Sequence, residues 1–311
     1  MQLKDKDVFL MRAMLIESGV ETQKARPFLK WAGGKTQLLN EIDARLPNKE
    51  IESGQIDTYI ELFVGGGALF FHVARKYPQF QRFLLFDINQ DLVNCYNAIK
   101  CDVASIIAKL QKLEDQYLRA NETARKNMFY RVRDEFNHDR SPAKLIFLNK
   151  TCYNGLYRVN RNNGFNVPFG GYRNPTICDE DNLRNASAVL QDAEIIYDDF
   201  ETAEQYIGGN CFVYLDPPYR PISPTAAFTS YAKDDFTEED QIRLASFCGR
   251  LDKTGAKFLL SNSDPRNENP QDHFFEKHYK RFTIERVKSA RAINCKASGR
   301  GVVNELIITN Y

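Results

Sequence analysis

Short apolar runs bounded by turn residues alternate, along most of this chain, with stretches whose apolar positions fall three and four apart. The runs predict strands over residues 58–63, 82–86, 194–197, 211–215, 257–260, 282–287 and 302–309. The wider spacing predicts helices over residues 35–46, 66–75, 90–99 and 238–251. Such alternation specifies an α/β fold, a mostly parallel sheet with helices on both faces. Between Lys100 and Pro175 the strand signal stops. Three further helices are predicted there, over 103–117, 122–136 and 142–149, followed by a loop or β-hairpin rich in Asn, Gly, Tyr and Arg. The chain thus divides into an extension (1–26), a sheet domain (27–99 and 176–311) and an inserted, mainly helical domain (100–175).

Composition narrows the class. The 311 residues are 43% hydrophobic, enough for a substantial core. The apolar stretch over 8–16 is interrupted by Arg12 and is too short for a bilayer span or a clean signal peptide, so nothing points to export or to a membrane. The 7 cysteines include no C-x-x-C pair, and their odd number suits neither a disulfide framework nor a zinc knuckle; they read as reduced packing residues of a cytoplasmic protein. The net charge of +1 conceals a strong asymmetry. Residues 119–173 carry eleven Lys and Arg against four Asp and Glu, and residues 277–300 carry eight against Glu285 alone. Either these are solvated faces or they meet a polyanion.

The glycine motifs are more specific. In ELFVGGGALFF a strand runs into Gly65, Gly66 and Gly67 and then into a helix, which lets a ligand approach the backbone at a helix N-terminus. Asp87, ending the next strand in LLFDINQDL, can accept two hydrogen bonds from a ribose diol or cap the following helix. A hydride-transfer dinucleotide site would want a small residue where Phe70 stands, and a phosphate-binding P-loop would want glycine where Leu29 precedes Gly34, Lys35 and Thr36. Both readings weaken. Lys35, at a predicted helix start, is either solvated or paired with a carboxylate.

In VYLDPPYRP a buried strand ends abruptly in Asp216, Pro217, Pro218 and Tyr219. A strand-end carboxylate accepts from an amine, and a proline corner presents carbonyls without a competing N–H, so two acceptors can converge on one NH2 group. Two acceptors favour a more tetrahedral nitrogen whose lone pair can attack a sulfonium methyl, while Tyr219 stacks on a planar base. The competing reading is a plain strand-turn with Asp as a local cap.

These stretches occur in a set order: FLKWAGGK, ELFVGGGALFF, FDINQDLVNCYN, NGLYRVNRNNGFNVPFG, YLDPPYRPISPTAAFTSY and LLSNSD. Over residues 28–311 the chain resembles the Dam-type DNA adenine-N6 methyltransferases of the alpha class, the restriction-system members above all. The resemblance implies the Rossmann-like methyltransferase fold and transfer of a methyl group from S-adenosylmethionine to N6 of an adenine flipped out of double-stranded DNA, in GATC. The product would be S-adenosylhomocysteine, with no metal taking part. Trp31, Ala32, Gly33, Gly34 and Lys35 would line the methionine side of the cofactor. Phe63, Gly65, Gly66 and Gly67 would follow its backbone, Asp87 its ribose, Asp199 and Phe200 its adenine, with Asp216 at its border. Asp216, Pro217, Pro218 and Tyr219 would be catalytic.

Lys30, together with Tyr153, Asn154, Leu156, Arg158 and Pro168 of the basic insert, matches positions that touch or wedge DNA in the family. The residues alone leave Tyr153 and Leu156 open as core packing. Gly171 departs from the family pattern, standing where an arginine is usual before the tyrosine matched by Tyr172. The resemblance further implies a cytoplasmic, nucleoid-associated monomer with no membrane and no obligate protein partner. Alternatives are another recognition sequence, RNA or protein-glutamine methylation, and a catalytically silent DNA-binding protein.

Overall fold

The computed structural model describes residues 25–31, 33, 35, 38–220, 236–290 and 302–311. The cofactor contacts expected of Ala32 and Gly34 lie outside the described residues, as does part of the second basic block, residues 291–300.

The seven strands β1 (Thr58–Glu61), β2 (Arg82–Asp87), β3 (Ala193–Tyr197), β4 (Cys211–Leu215), β5 (Lys257–Ser263), β6 (Thr283–Ala290) and β7 (Val302–Thr309) form one sheet in the order β3-β2-β1-β4-β5-β7-β6. The first five pair in parallel, while β7 runs antiparallel to both β5 and β6. The sheet is therefore mostly parallel, as its unbroken apolar runs predict; β4, CFVYL, is buried along its whole length because helices cover both sides.

The period of two sorts the side chains between two cores. Tyr59, Phe83, Phe212, Leu259 and Ile307 face one, and Ile60, Leu84, Val213, Leu260 and Ile308 face the other. The helices follow in chain order: α1 (Leu39–Asp43), α2 (Asn48–Glu52), α3 (Ala68–Lys76), α4 (Gln90–Arg119), α5 (Glu122–Asp139), α6 (Pro142–Thr151), α7 (Glu180–Leu190), α8 (Glu238–Thr254) and α9 (Phe274–His278). α3, α4 and α7 cover the first face through Phe70, Ile99 and Leu183, whereas α8 and α9 cover the second through Leu244, Phe247 and Phe275.

Three local results differ from expectation. The helix predicted over 35–46 begins only at Leu39; Gly33 takes a left-handed φ of 77°, and the chain turns there so that Lys35 faces the sheet. The helices predicted over 90–99 and 103–117 form one run broken at Asp102, whose φ of −150° and ψ of 62° are not helical. α7 has no counterpart in the prediction; its polar start, EDN, masks a helix that Asp179 caps by accepting from the Asn182 N–H.

The insert is not walled off from the sheet domain. Tyr117, Phe129, Phe136 and Phe147 belong to the same buried cluster as Tyr59 and Phe83, so one apolar core continues from the sheet's first face into the insert. No strand forms between α4 and α7; the loop after α6 is closed by two isolated antiparallel bridges, Cys152 with Phe169 and Val159 with Phe165. Among the described residues no helix is long and apolar enough to cross a membrane. The described cysteines are all free; burial pushes the Cys152 thiol up to about 12, as suits a packing residue, whereas Cys101 is exposed.

Candidate active site

Parallel sheets open a crevice at the carboxyl ends of their strands where the chain changes direction. Here that point lies between β1 and β4, because β2 and β3 are laid down on one side of β1 and β4 on the other. Glu61 pairs with Tyr214, which brings the Phe63 and Asp216 ends of the two strands together.

At this mouth the side chains on the first face are polar. Asp216 follows Tyr214 at alternate spacing and meets Ser261 of β5; Glu305 of β7 lies nearby. Lys35 is buried, 5% exposed, and its ammonium contacts three acceptors: Asp216 Oδ1 at 2.7 Å, the Tyr219 hydroxyl at 2.6 Å and the Gly33 carbonyl at 3.3 Å. An ammonium has three protons, so this lysine is satisfied. Tyr219 donates its hydroxyl to Glu305 Oε2 at 2.6 Å, and the Ser261 hydroxyl donates to Asp216 Oδ1 at 3.1 Å. Asp216 Oδ1 is thus taken twice. Neither Asp216 Oδ2 nor the Pro217 carbonyl receives a hydrogen bond among the described residues.

Burial raises the Asp216 carboxyl from its ordinary value, against the lowering effect of Lys35 and Ser261. Burial, reinforced by Asp216 and Glu305, holds the Tyr219 hydroxyl far above the usual phenol range, so it stays a donor. Glu61, beneath the mouth on β1, is pushed up to about 8 by burial and by the neighbouring carboxylates Asp216 and Asp87, although the Tyr59 hydroxyl donates to it at 2.7 Å. Near neutral pH it is therefore mostly a neutral acid, which limits repulsion among the acidic groups.

The glycine turn leaves β1 beside this cluster. Gly65 and Gly67 have left-handed φ values of 48° and 69°; a Cβ on Gly65 would lie 2.9 Å from the Trp31 ring, and one on Gly67 would lie 2.6 Å from the Tyr96 hydroxyl. Only glycine fits. Asp87 ends β2 with one oxygen accepting from the Gly65 N–H at 3.0 Å and the other from the Asn89 N–H at 2.9 Å. Each oxygen keeps a lone pair, so capping the turn and holding a diol are compatible. Burial pushes this carboxyl up to about 6 against those backbone donors. Ile88, the next residue, is 58% exposed, an apolar surface beside an acid at the strand end.

Farther along the mouth, Phe63 packs on Phe200 at 5.6 Å and on Phe236 at 5.7 Å between ring centroids. Phe200 is buried. The Asp199 carboxylate is held on both oxygens by the Arg243 guanidinium, each at 2.9 Å, and also accepts from the Glu201 N–H.

Residues 31–293 match the model of the D12 class N6 adenine-specific DNA methyltransferases. The chain belongs to that family. It is 49% identical over 296 residues to the type II methyltransferase M.MjaIII of Methanocaldococcus jannaschii, covering 93% of this chain and 100% of that protein. DNA adenine methylases of Vibrio cholerae and Escherichia coli K12 are 34% and 33% identical, each over 92% of this chain and 96% and 95% of theirs.

The second set of expected residues in this methyltransferase lies on the loop after α6. Tyr153, Asn154, Arg158 and Pro168 are exposed, and Leu156 is half-buried against the core. The Pro168 carbonyl accepts from the Tyr153 N–H at 2.9 Å, and Asn154 sits at a left-handed φ of 54° with its N–H donating to the Tyr172 hydroxyl at 3.1 Å. Arg158 donates from Nε to Asn166 Oδ1 at 2.7 Å. Lys30 joins this loop although it precedes the sheet. The buried Asn149 amide accepts from the Lys30 N–H at 2.8 Å and donates to the carbonyls of Lys30 and Gly155 at 2.8 and 2.9 Å. Burial lowers the Lys150 ammonium from its ordinary value, and the charge of the nearby Lys30 acts in the same direction, while Asp179 opposes it. Gly171 has a left-handed φ of 70°, a backbone that disfavours the arginine usual at that place.

Sequence reasoning missed Ser261, Glu305, Asn149, Gln241, Tyr157 and Ile88. Two polar residues in succession, Ser261 and Asn262, inside a strand otherwise apolar were a readable signal. Tyr157 was not readable: it matters because its ring stacks on Trp31 at 5.3 Å and its hydroxyl donates to Asp91 at 2.8 Å, contacts between segments far apart in the chain.

Proposed function

We propose that this DNA adenine methyltransferase uses S-adenosylmethionine to methylate N6 of an adenine flipped from double-stranded DNA, within GATC. The observation that carries the reading is the pair of open acceptors, Asp216 Oδ2 and the Pro217 carbonyl, beside an Asp216 Oδ1 already held by Lys35 and Ser261. One exocyclic amine has two protons for those two acceptors. Tyr219, held by Lys35 and Glu305, offers its ring to the base.

The donor set at the glycine turn fits the cofactor. Asp87 retains lone pairs for a ribose diol, Ile88 offers an apolar face for a base, and Trp31, Gly33, Lys35, Gly65, Gly66 and Gly67 border the methionine end. Asp199 reaches a cofactor adenine only by sharing its carboxylate with Arg243. When bound, S-adenosylmethionine would supply an electrophilic sulfonium methyl; Asp216 Oδ2 and the Pro217 carbonyl would hold the two protons of the target amine, with Asp216 placed to take the one that is lost. The chain's part is orientation and charge placement; fixed dipoles at a dry site lower the barrier without reorganising during the reaction.

Residues 100–175, with Lys30, form the reading unit in this proposal. Flipping costs a few kcal/mol, which contacts from Tyr153, Asn154, Leu156, Arg158 and Pro168 would offset. The assignment of GATC rests on the match of NGLYRVNRNNGFNVPFG to the family pattern. Transfer of tritiated methyl to DNA, RNA and protein, followed by mapping of modified bases, tests it. The expected outcome is N6-methyladenine in GATC alone; label in RNA or in glutamine, or in adenines of another sequence, overturns the corresponding part.

A further inference from the structure

The Asp216-Pro217-Pro218-Tyr219 corner is gripped from both faces of the sheet, and the second grip has no part in the chemistry above. Ser261 and Asn262 are consecutive on β5, so their side chains point to opposite faces. Ser261 reaches Asp216 on the first. On the second, Asn262 Nδ2 lies 3.4 Å from Gln241 Oε1, and Gln241 Nε2 donates to the Pro218 carbonyl at 2.9 Å. Gln241 and Asn262 are fully buried. A carbonyl only accepts, so the Gln241 amide must turn its nitrogen to Pro218 and its oxygen to Asn262. Asn262 Oδ1 in turn accepts from the Ser263 N–H at 2.9 Å. This relay of amides has one direction and ends on Pro218.

The Pro218 ring is exposed, so the inward turn of its carbonyl is held by the hydrogen bond and not by burial of the ring. The proline ring sets φ of Pro218 near about −65°, and the flanking peptides are planar and trans. Only ψ of Pro218 remains soft between its own carbonyl and that of Pro217. Anchoring the corner at Asp216 on one side and at the Pro218 carbonyl on the other therefore holds the Pro217 carbonyl between two fixed points.

We infer that Gln241, oriented by Asn262, is a positioning residue for methyl transfer: it takes up the Pro218 carbonyl and leaves the Pro217 carbonyl, paired with Asp216 Oδ2, aimed at the target amine. The inference rests on reading this corner as the amine site. A residue acting only on stability would lower the folded fraction. A positioning residue lowers kcat in folded enzyme while substrate affinity stays.

Gln241→Met removes the donor at similar size. Its single-turnover rate should fall about tenfold or more, with KM for duplex DNA and affinity for S-adenosylhomocysteine changed less than about twofold. Gln241→Glu supplies the second readout, because a protonated carboxyl can donate to Pro218 whereas a carboxylate cannot. Of the charged groups on the elements meeting there, Asp216 pairs with Lys35, Arg220 with Asp272 and Glu238, Arg243 with Asp240, and Arg286 with Asp264, and Glu305 accepts from Tyr219, whereas Glu239 of α8 is exposed and makes no ion pair among the described residues. Divided by the wild-type value at each pH, the Gln241→Glu kcat should decline as pH rises from about 5.5 to about 8.5. A flat ratio over that range, or a folded Gln241→Met enzyme with the wild-type single-turnover rate, overturns the inference; should Gln241→Met fail to fold, the ratio decides alone. Asp216→Ala, run in parallel, separates the two levels. Full turnover in that variant sinks the reading of the corner itself, whereas an inactive Asp216→Ala beside unperturbed Gln241 variants sinks only the role of Gln241.

Discussion

The mouth of the sheet and the loop after α6 handle charge in opposite ways. At the mouth, hydrogen bonds link Asp216 to Lys35, Lys35 to Tyr219 and Tyr219 to Glu305, with each proton of the Lys35 ammonium given an acceptor. On the loop, Arg158, Arg161 and Arg173 are exposed and make no ion pair among the described residues; Arg158 is steadied by Asn166 alone. Chemistry on a small amine needs acceptors whose directions are set before the substrate arrives, which burial and saturation provide. Reading a duplex needs long cations free to exchange water for base edges and phosphates. The loop's backbone, by contrast, is tightly built: Asn149, Gly155 and the two bridges fix where those free side chains start.

The largest expected break falls on the mouth. Asp216→Ala should lower the methyl-transfer rate by about 10²–10³-fold, because it deletes one of the two acceptors in a preorganised pair, while cofactor binding by calorimetry stays near wild type. Near-normal turnover would dissolve the contrast between the two regions.

Next comes selectivity on the loop. A guanidinium can bind the O6 and N7 edge of guanine, and losing such a bidentate contact costs about 1–3 kcal/mol of discrimination at one base pair. On the proposed GATC target, Arg158→Ala should therefore relax choice at one outer G·C pair in relative kcat/KM, measured at constant salt on duplexes with single substitutions. A uniform fall would reassign Arg158 to the phosphate backbone.

A smaller effect should appear in the pH profile of the mouth. The Asp216 carboxyl is already raised by burial, and Lys35 opposes that rise. Without the ammonium its folded value climbs further, so less of it is ionised at a given pH. Activity that needs the carboxylate is present above this value and lost as pH falls through it. Lys35→Met should move the acid limb of kcat, at saturating cofactor, upward. An unmoved limb would mean that Lys35 does not govern Asp216.

The smallest concerns the loop's frame. Gly155 has a left-handed φ of 64°, and a Cβ there would lie 2.5 Å from Lys30 Cδ. Gly155→Ala should cost about 1–2 kcal/mol in denaturant unfolding and weaken DNA selection, with cofactor affinity unchanged. A variant as stable as wild type would show that the Lys30 clasp is looser than its geometry.

Much of this was legible in one dimension. The strands follow from apolar runs such as CFVYL, whose unbroken hydrophobicity calls for cover on both faces, and the turn at Gly65 and Gly67 follows from residues that nothing else can replace. The corner at Asp216 was visible because aspartate and two prolines after a buried strand cannot continue it. Less was legible where a role depends on a partner. The helix predicted over 35–46 failed at its start because the turn at Gly33 that carries Lys35 toward Asp216 outweighs local periodicity. α7 was hidden because its first turn is polar.

By itself the sequence determined the strands and the long apolar-faced helices, the sheet's buried character and the types of residue at its mouth, since these depend on hydrophobic spacing, on glycine and proline stereochemistry and on local charge. Only the tertiary structure decided which groups meet. Lys35 lies 184 residues from Tyr219 in the chain and Tyr219 lies 86 from Glu305, yet they share hydrogen bonds. Asn149 reaches back 119 residues to bring Lys30 to the loop after α6. Such contacts carry no local signature, because the partner of a buried polar group is chosen by strand order and helix packing, and the requirement that each such group be satisfied is met in space and not along the chain.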